Sequence, residues 1–597
     1  MVNFGDKFLQ KFSGDKFVAL ILALAGFLVY ANMLANNFVW DDEEQVVNNA
    51  VIRDWNNFGM IFKSSTFYGG GAGLSGSFYR PLVTLSYFWN YGYWGLNPLG
   101  YHLMQLMFHC ANAFLVFYLL KTIFEKQKVS FGRTAAIAAA LVFAVHPGNV
   151  ESVAYIGSIG EVVYVFWVLA ALILFVKSFG ENGAIAKPWY FCGSFALIFM
   201  GLLAKEPAIA ALLLMPAYLC LLLKPARNVY LKFIAGGAAA SGLYLFLRLS
   251  VAKIAATSEY LAPIYSAPLW QRIITLPYEV VSYFVIIFFP KDLSISRYFV
   301  VASAADPRFW GSLIVLGLAG AAALFYVAKT GSKIFLFFAL WFATALAPAL
   351  NIIPLDMTMA ERWLYLPIIG ALAAITFALA GAVQKLSLAK QKIVLAVFSL
   401  IIVVLGTRTI IRNIDWKNGL SLYGHDIALT PKYSPQGNFD LENNYGVELF
   451  RVGKFDEAGE HFKRSIALQS GSASSQNNLG AVLERQGDLE GALAQYRIAA
   501  EMNYYLAHEN IPGILMKLKR YDEAEKFLEK SLAIFSNNAN LQFKLAYLYA
   551  ADNIGNTDKD AKQKALYLLS LILQSDPKNQ NAIALYQMLQ SGQKIEI

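Results

Sequence analysis

Long apolar segments between residues 17 and 407 constrain the fold of this chain more than any other feature of its sequence. Most of them have about twenty residues, and a helix of that length crosses the roughly 30 Å of hydrocarbon in a bilayer. The composition agrees, since 57% of the 597 residues are hydrophobic and only 15% are charged, unlike an ordinary soluble enzyme. The sequence therefore predicts an all-α protein in which residues 1–414 form a polytopic bundle of membrane-spanning helices.

The charges in the loops predict the orientation of this bundle. Basic residues follow the even-numbered apolar segments, whereas the acidic stretch Phe38–Val51 and the motifs HPGNVES and AKEPA follow odd-numbered ones. Because basic loops stay in the cytoplasm, the first external loop is placed at 35–100 and the other odd-numbered loops lie outside with it. The pattern favours eleven spans and an external C-terminal region, or twelve spans and a cytoplasmic one if Ile273–Phe289 also crosses. We therefore expect a multi-pass protein of the cell (inner) membrane.

Net charge and cysteine content exclude other classes of function. The net charge of +9 is spread over short loops and the C-terminal region, so it indicates membrane orientation and not nucleic-acid binding. Cys110, Cys192 and Cys220 lie in apolar segments without paired spacing. Neither a disulfide framework nor a metal site is predicted.

The first external loop carries four consecutive acidic residues, Asp41 to Glu44, between the apolar Phe38-Val39-Trp40 and Val46-Val47. Carboxylates pressed against a bilayer face are poorly solvated, and poor solvation raises their pKa toward the range of a useful general base. The alternative is a solvated acidic loop, because runs of charge usually lie on the surface.

Further ionisable residues are predicted on the same external face, and such residues at membrane depth are functional candidates. Together with the acidic pair they form the set Asp41, Asp42, Arg80, His102, His146, Glu151, Lys205, Glu206, Glu361 and Arg362. Each has a structural alternative. Lys205 and Glu206 could pair with each other, Arg362 could reach the headgroups, and Glu161 in the fourth segment could pair with another helix. Their coincidence on one face favours a functional site.

From about residue 415 the sequence becomes polar and helical, and Phe439–Leu541 repeats with periods of 34 and then 32 residues. Large and small side chains recur at matching positions, and the recurring sets are Leu449, Leu483 and Leu515, then Ala458, Ala492 and Ala524, then Gly446 and Gly480. This spacing is typical of tetratricopeptide repeats, in which small residues lie where paired helices cross closely. Residues 415–597 are therefore predicted to form an α-solenoid, with a half-repeat at Asp415–Pro435, an irregular fourth repeat with an insertion around Asp552–Asp558, and a capping helix.

Several motifs in order carry a resemblance to a known family. They are FVWDDEEQVVNNAVI, SFYRPLVTLSYFWNYGYWGLNPLGYHLMQLMFHCAN, HPGNVESVAYI, AKEPAI, FFPKDLS and AERWLYLP, followed by the repeats. Over nearly its whole length the chain resembles the transmembrane and tetratricopeptide-repeat O-mannosyltransferases and their bacterial relatives, with fewer repeats than the animal enzymes. These belong to the GT-C glycosyltransferases, multi-span enzymes that take a sugar from a polyprenyl phosphate.

The resemblance implies roles for the external residues. Asp41 takes the role of the catalytic base and Asp42 the second acidic position. Arg362 in AERWLYLP is the candidate for the lipid phosphate, since a guanidinium fork fits a phosphodiester, and Arg80 and Lys205 are secondary phosphate candidates. The sugar and acceptor pocket is assigned to His102, His146, Glu151, Glu206 and Glu361. No metal or other cofactor is implied, because cationic residues can stabilise the leaving phosphate unaided.

The function that this resemblance implies is an inverting transfer of a sugar, mannose first, from a polyprenyl phosphate to Ser or Thr hydroxyls of an exported protein bound by the repeats. One alternative is transfer to a glycan or lipid acceptor by the same fold. Another is a non-catalytic membrane scaffold, which leaves the acidic loop and Arg362 unexplained. A transporter ranks last, because the polar residues gather at one face and no inverted repeat is visible.

Overall fold

The computed structural model describes residues 14–69, 78–254, 262–551, 559–593 and 595. Those residues contain helices and two isolated β-bridges, Phe179–Ile185 and Arg297–Met359, but no β-strand. The prediction of an all-α fold is confirmed. The chain divides into two compact units, Met1–Gln436 and Gly437–Ile597.

The first unit holds the apolar helices. Its α-helices of eight residues or more are Asp15–Tyr30, Pro81–Trp94, Pro98–Lys126, Gly132–Val145, Ile159–Lys177, Pro188–Ala204, Ala211–Tyr218, Arg227–Phe246, Leu269–Phe288, Pro307–Thr330, Lys333–Leu346, Pro367–Val383, Leu388–Asp415 and Gly419–Tyr433. In the described part of the chain, eight helices are long and apolar enough to cross a membrane, or nine if the bent pair Gly132–Val145 and Pro147–Ala154 forms one span.

Local sequence explains where the helices begin and break. Proline occupies the first helical position at Pro81, Pro98, Pro188, Pro307 and Pro367, where its missing N–H is not needed. The HPGNVES motif breaks a helix instead. The chain is extended at the residue before its proline, as proline requires, and the two flanking helices meet at 57°. The motif thus turns the main chain at the end of a span.

Burial distinguishes central helices from peripheral ones. In Ile156–Lys177, 78% of the apolar window is buried, whereas in Pro307–Thr330 only 6% is. The peripheral helices expose large apolar side chains such as Leu318 and Ile393. A helix that exposes apolar side chains all round is suited to lipid. The peripheral helices therefore surround a packed core in the way expected of a membrane bundle.

The Gly419–Tyr433 helix belongs to the first unit, although the sequence predicted a half-repeat there and a domain boundary at 414 and 415. Its Asp426 carboxylate accepts hydrogen bonds from the Ser294 hydroxyl (2.7 Å) and the Ser296 N–H (3.1 Å). Its Lys432 pairs with Asp292 at 2.6 Å. Polar anchors to a distant loop, which local periodicity cannot reveal, place the compact boundary between Gln436 and Gly437.

The second unit is a series of helix pairs, as predicted. Its helices are Phe439–Arg451, Phe455–Leu468, Ala473–Gln486, Leu489–Glu501, Tyr505–Lys517, Tyr521–Ile534, Ala539–Ala550, Lys559–Ser575 and Gln580–Ser591. A Cβ at Gly446 would lie 2.6 Å from Phe462, and one at Gly480 would lie 2.8 Å from Tyr496. The recurring glycines therefore allow the two helices of each pair to approach closely. The predicted insertion at Asp552–Asp558 lies outside the described residues.

Candidate active site

The acidic loop makes a tight turn at Trp40, Asp41 and Asp42. Trp40 has a positive φ of 57°, a conformation that is strained for a bulky residue and that recurs at functional sites. The buried Asp42 carboxylate accepts hydrogen bonds from the N–H groups of Val39 (2.9 Å) and Gly157 (2.6 Å). Asp42 therefore fastens the turn to the segment that follows HPGNVES.

Asp41 lies beside this anchor with a different environment. Burial raises the pKa of its carboxyl group, while the Tyr155 hydroxyl and the Arg362 guanidinium act in the opposite direction. Burial also raises the pKa of Asp42, against the two N–H donors that favour its ionised form. A carboxylate with a raised pKa next to a fixed cation has the properties of a general base close to an anion site.

Arg362 is held in place by Glu151. Its guanidinium pairs with one Glu151 oxygen, and its main-chain N–H donates to the other at 2.9 Å. The guanidinium carbon lies 5.4 Å from the centre of the Trp40 ring. Glu151 is fully buried, and 12% of the Arg362 side chain is exposed. The structure thus makes Glu151, predicted for the sugar and acceptor pocket, the partner that orients Arg362.

Two further cations lie close to Arg362, and each has an acidic partner. Lys205 pairs with the buried Glu161, and the charges of Arg80 and Arg362 act on Lys205. Arg80 donates to Glu206 at 2.9 and 3.0 Å. Lys205 therefore lies within electrostatic range of both Arg80 and Arg362, the other two predicted phosphate-binding residues. Glu206 pairs with Arg80 and not with Lys205, and it is shared with Arg248 at 3.3 Å.

The remaining predicted pocket residues contact the main chain or other ions. His102 Nε2 lies 3.2 Å from the Asn36 carbonyl oxygen. His146 uses both ring nitrogens, at 3.0 Å from the Ile287 carbonyl oxygen and 3.1 Å from the Gly148 N–H. Glu361 is buried between Arg297 (3.5 Å) and Arg412 (3.7 Å). These three side chains support the loops around the site, and their predicted contact with sugar or acceptor stays a prediction.

The sequence analysis missed several neighbours of the site. The charge of Asp356 acts on both Asp41 and Arg362. Tyr155 stacks between Trp40 and Trp416. A signal was present, because Trp40 precedes the acidic pair and Tyr155 lies within HPGNVESVAYI. Among the described residues, no group of three His, Cys, Asp or Glu could hold a metal ion.

Comparison with known proteins agrees with the predicted resemblance. The tetratricopeptide-repeat family matches residues 446–507 and 513–538. "Protein O-mannosyl-transferase F38B6.6" from Caenorhabditis elegans is 29% identical over 466 residues, covering 75% of this chain and 62% of that protein. "Protein O-mannosyl-transferase Tmtc1" from Drosophila melanogaster is 26% identical, covering 76% and 62%.

A mouse relative, "Protein O-mannosyl-transferase TMTC3", is 24% identical over 608 residues, covering 94% of this chain and 64% of its own length. This chain thus spans 62–64% of the length of these relatives. The chain is therefore a homologue of proteins named protein O-mannosyl-transferase, and it carries tetratricopeptide repeats as predicted.

Proposed function

We propose that this protein is a membrane glycosyltransferase that transfers mannose from a polyprenyl-phosphate donor to Ser or Thr hydroxyls of exported proteins. The names of its homologues support protein O-mannosylation. The observation that carries the proposal is that Asp41, whose pKa is raised by burial, directly follows Trp40, and the Trp40 ring centre lies 5.4 Å from the Arg362 guanidinium carbon, which Glu151 holds in place. Displacement of a sugar from a phosphate needs a base for the acceptor hydroxyl and an anion site for the leaving phosphate, and this arrangement offers both.

In the proposed step, Asp41 accepts the proton of the acceptor hydroxyl as its oxygen attacks the anomeric carbon. A new carbon–oxygen bond forms on one face of the sugar, and the bond from the anomeric carbon to the phosphate oxygen breaks on the other. The polyprenyl phosphate leaves as a monoester with the bonding electron pair. A single displacement of this kind inverts the anomeric centre and needs no covalent enzyme intermediate. Removing a general base typically costs 10²–10⁴-fold in rate.

Arg362, with Lys205 and Arg80, is proposed to hold the phosphate as it gains charge. The acidic partners Glu151, Glu161 and Glu206 fix these cations before the donor binds. Donors that are already oriented stabilise developing charge without reorganisation during the reaction. Asp42 is assigned to stabilising the turn at Trp40 and Asp41, because its carboxylate already accepts hydrogen bonds from two main-chain N–H groups.

The repeats are proposed to bind the acceptor protein. Stacked helix pairs form a concave surface that suits an extended peptide. We consider Tyr504, Tyr505 and His508 as candidate contacts, and they differ in accessibility. His508 is buried, with its ring nitrogens 2.8 Å from the Ser531 hydroxyl and 3.2 Å from the Ala500 carbonyl oxygen. Tyr504 and Tyr505 remain the candidates for contact with a partner.

The test is transfer by the purified protein in lipid vesicles, supplied with radiolabelled polyprenyl-phosphate mannose and a periplasmic protein extract. We expect labelled protein from which alkali releases the sugar as from Ser or Thr. Label in the glycan or lipid fraction alone would favour the alternative acceptors, and an absence of transfer from any polyprenyl-phosphate sugar would contradict the proposal.

Two variants with matched controls assign the roles. Asp41→Asn should lower transfer by about 10²–10⁴-fold, while Glu43→Gln, an equal change of charge nearby, should have a small effect. Arg362→Ala should weaken donor use with every acceptor, whereas Arg308→Ala, which loses a pair with Asp306, should not. If Asp41→Asn and Asp42→Asn both fold and retain near-full transfer, the acidic loop is not the catalytic centre.

A further inference from the structure

Four stacking contacts connect Arg362 to Arg412 through three aromatic rings. The Arg362 guanidinium carbon lies 5.4 Å from the Trp40 ring centre. The Trp40 and Tyr155 rings are 5.2 Å apart at 17°, and the Tyr155 and Trp416 rings are 5.4 Å apart at 23°. The Arg412 guanidinium carbon lies 5.8 Å from the Trp416 ring centre. We call this set, Arg362, Trp40, Tyr155, Trp416 and Arg412, the aromatic column.

The two ends of the aromatic column are also connected through Glu361. Arg412 lies 3.7 Å from the Glu361 carboxylate, and Glu361 precedes Arg362 in the chain. The column therefore joins the acidic loop, the segment after HPGNVES, the AERWLYLP motif and the end of the Leu388–Asp415 helix. All of these segments belong to the first unit.

Trp416 is held in this column by contacts of its ring with Tyr155 and Arg412. It is fully buried, and within the described residues its indole N–H has no hydrogen-bond partner. Stacked aromatic pairs and cations over ring faces are attractive at these separations. Nothing but packing thus fixes the orientation of the Trp416 ring.

The other end of the column fixes the reacting groups. Trp40 adopts a positive φ of 57° and directly precedes Asp41. The direction of the Asp41 side chain therefore depends on the packing of the Trp40 ring. The same Trp40 ring has the Arg362 guanidinium carbon 5.4 Å from its centre. One ring therefore sets the base and the anion site relative to each other.

We infer that Trp416 is a positioning residue for the transfer reaction, acting through Tyr155 and Trp40 on both Asp41 and Arg362. The expected effect on transfer rests on the proposed function. The contacts of the aromatic column do not depend on which sugar or acceptor is used. Trp416 touches neither substrate. Its loss lets the Trp40 turn relax and admits water to Asp41.

The test compares Trp416→Leu, Trp416→Phe and Trp341→Leu in the full-length protein. Trp341 is the matched control, since it is also fully buried but lies off the column, with its N–H bonded to the Leu366 carbonyl oxygen at 3.1 Å. Trp416→Leu should lower kcat by about 10²-fold, the effect expected of a small displacement of reacting groups. The acid limb in the pH profile of transfer by Trp416→Leu should move to lower pH, because a better-solvated Asp41 has a lower pKa. Trp416→Phe should restore most of kcat, and Trp341→Leu should lower thermal stability while leaving kcat and the acid limb unchanged.

A second measurement separates this inference from the proposed function. Binding of a polyprenyl monophosphate, followed by thermal shift, needs no sugar transfer. Trp416→Leu should weaken it by about tenfold through the loosened Arg362, and Trp341→Leu should not. If the wild-type protein binds this lipid but transfers no sugar, the proposed function fails. The role of Trp416 in positioning Arg362 is then still tested by comparing lipid binding in Trp416→Leu and Trp341→Leu. A folded Trp416→Leu with wild-type binding and, where transfer occurs, wild-type kcat would overturn the inference, as would an equal loss in Trp341→Leu.

Discussion

Asp41 and Asp42 are adjacent, and hydrogen bonds from the main chain give them different environments. The Asp42 carboxylate accepts hydrogen bonds from two main-chain N–H groups, one of them that of Gly157. The pKa of Asp41 is instead influenced by the Tyr155 hydroxyl and the Arg362 guanidinium. The acidic run identified the pair as candidates. It could not rank them, because the deciding donor is 115 residues away in sequence.

The pH dependence of transfer should report the environment of Asp41. A base acts in its deprotonated form, so kcat/KM falls as the pH drops through the pKa of that base. Burial raises the pKa of Asp41 above the ordinary value of 3.8. The acid limb should therefore lie at a higher pH than for an exposed aspartate. A kcat/KM profile that is flat down to pH 4 would show that Asp41 is not the base.

Among the elements, the repeats were the most predictable part of the chain. Their local periodicity names the positions where helices cross, and the structure has those helix pairs. The Gly419–Tyr433 helix, predicted as a half-repeat, lies in the first compact unit, where Ser294 and Ser296 donate to its Asp426. Local patterns predict elements, whereas long-range polar contacts decide which unit an element joins.

A pair of glycine substitutions tests the helix crossings. Gly480→Ala places a Cβ 2.8 Å from the Tyr496 ring, and overpacking of this kind costs about 1–3 kcal/mol. Gly513→Ala is the control, since it lies in the Tyr505–Lys517 helix with nothing within 4 Å of its Cβ, and there alanine should stabilise by about 0.4–1 kcal/mol. Thermal unfolding of the detergent-solubilised protein measures both. Equal shifts in the two variants would show that close approach is not the reason for Gly480.

The buried ions around Glu361 should control the stability of the first unit. Glu361 contacts Arg297 and Arg412, and Arg412 also donates to Asp415 at 3.1 Å. Removing one charge from a buried group of this kind costs about 3–5 kcal/mol, so Glu361→Gln should lower the midpoint of thermal unfolding strongly. Glu460→Gln, which loses an exposed pair with Lys463, should leave the midpoint of thermal unfolding almost unchanged, because ion pairs on the surface contribute little to stability. Similar midpoints for both variants would contradict this assignment.

At the scale of the whole molecule, the second unit should matter for the acceptor and not for the donor. Deleting Gly437–Ile597 removes the repeats and leaves the Gly419–Tyr433 helix with its anchors in the first unit. We expect transfer to protein acceptors to fall while hydrolysis of the lipid donor, or transfer to a short peptide, continues. The measurement is label in each fraction from the full and shortened proteins. Unchanged protein glycosylation after the deletion would exclude the repeats as the acceptor-binding unit.

The ends of the apolar helices described below fall into two groups of contacts. Asp15 at the start of the first helix pairs with Lys121 (2.6 Å) and Arg133 (2.7 Å), so the first helix begins where the predicted cytoplasmic loop lies. In the same group, Lys126 donates to the Phe179 carbonyl oxygen at 2.6 Å. The other group contains the contacts of the candidate active site. The segment that carries Lys121 and Arg133 thus lies at the opposite end of the first helix from the acidic loop, and which end faces the cytoplasm stays a prediction.

The Leu269–Phe288 helix decides between eleven and twelve spans. Near its start, Arg272 donates to the Ile352 carbonyl oxygen at 2.9 Å, in the loop that leads to Arg362. Near its end, the Ile287 carbonyl oxygen contacts His146. Both ends therefore meet loops on the side of the active site, so we predict that this helix does not cross and that eleven spans leave the repeats outside.

Labelling of single introduced cysteines with an impermeant maleimide tests this topology in intact cells, after replacement of Cys110, Cys192 and Cys220. Ala304→Cys follows the Leu269–Phe288 helix and should react from outside if that helix stays on the external face. Glu181→Cys and Lys329→Cys lie in predicted cytoplasmic loops and should react only after the membrane is permeabilised, because loops that retain basic residues are not translocated. If Ala304→Cys reacts only after permeabilisation and Lys329→Cys reacts from outside, the Leu269–Phe288 helix crosses the membrane and the twelve-span arrangement replaces the eleven-span one.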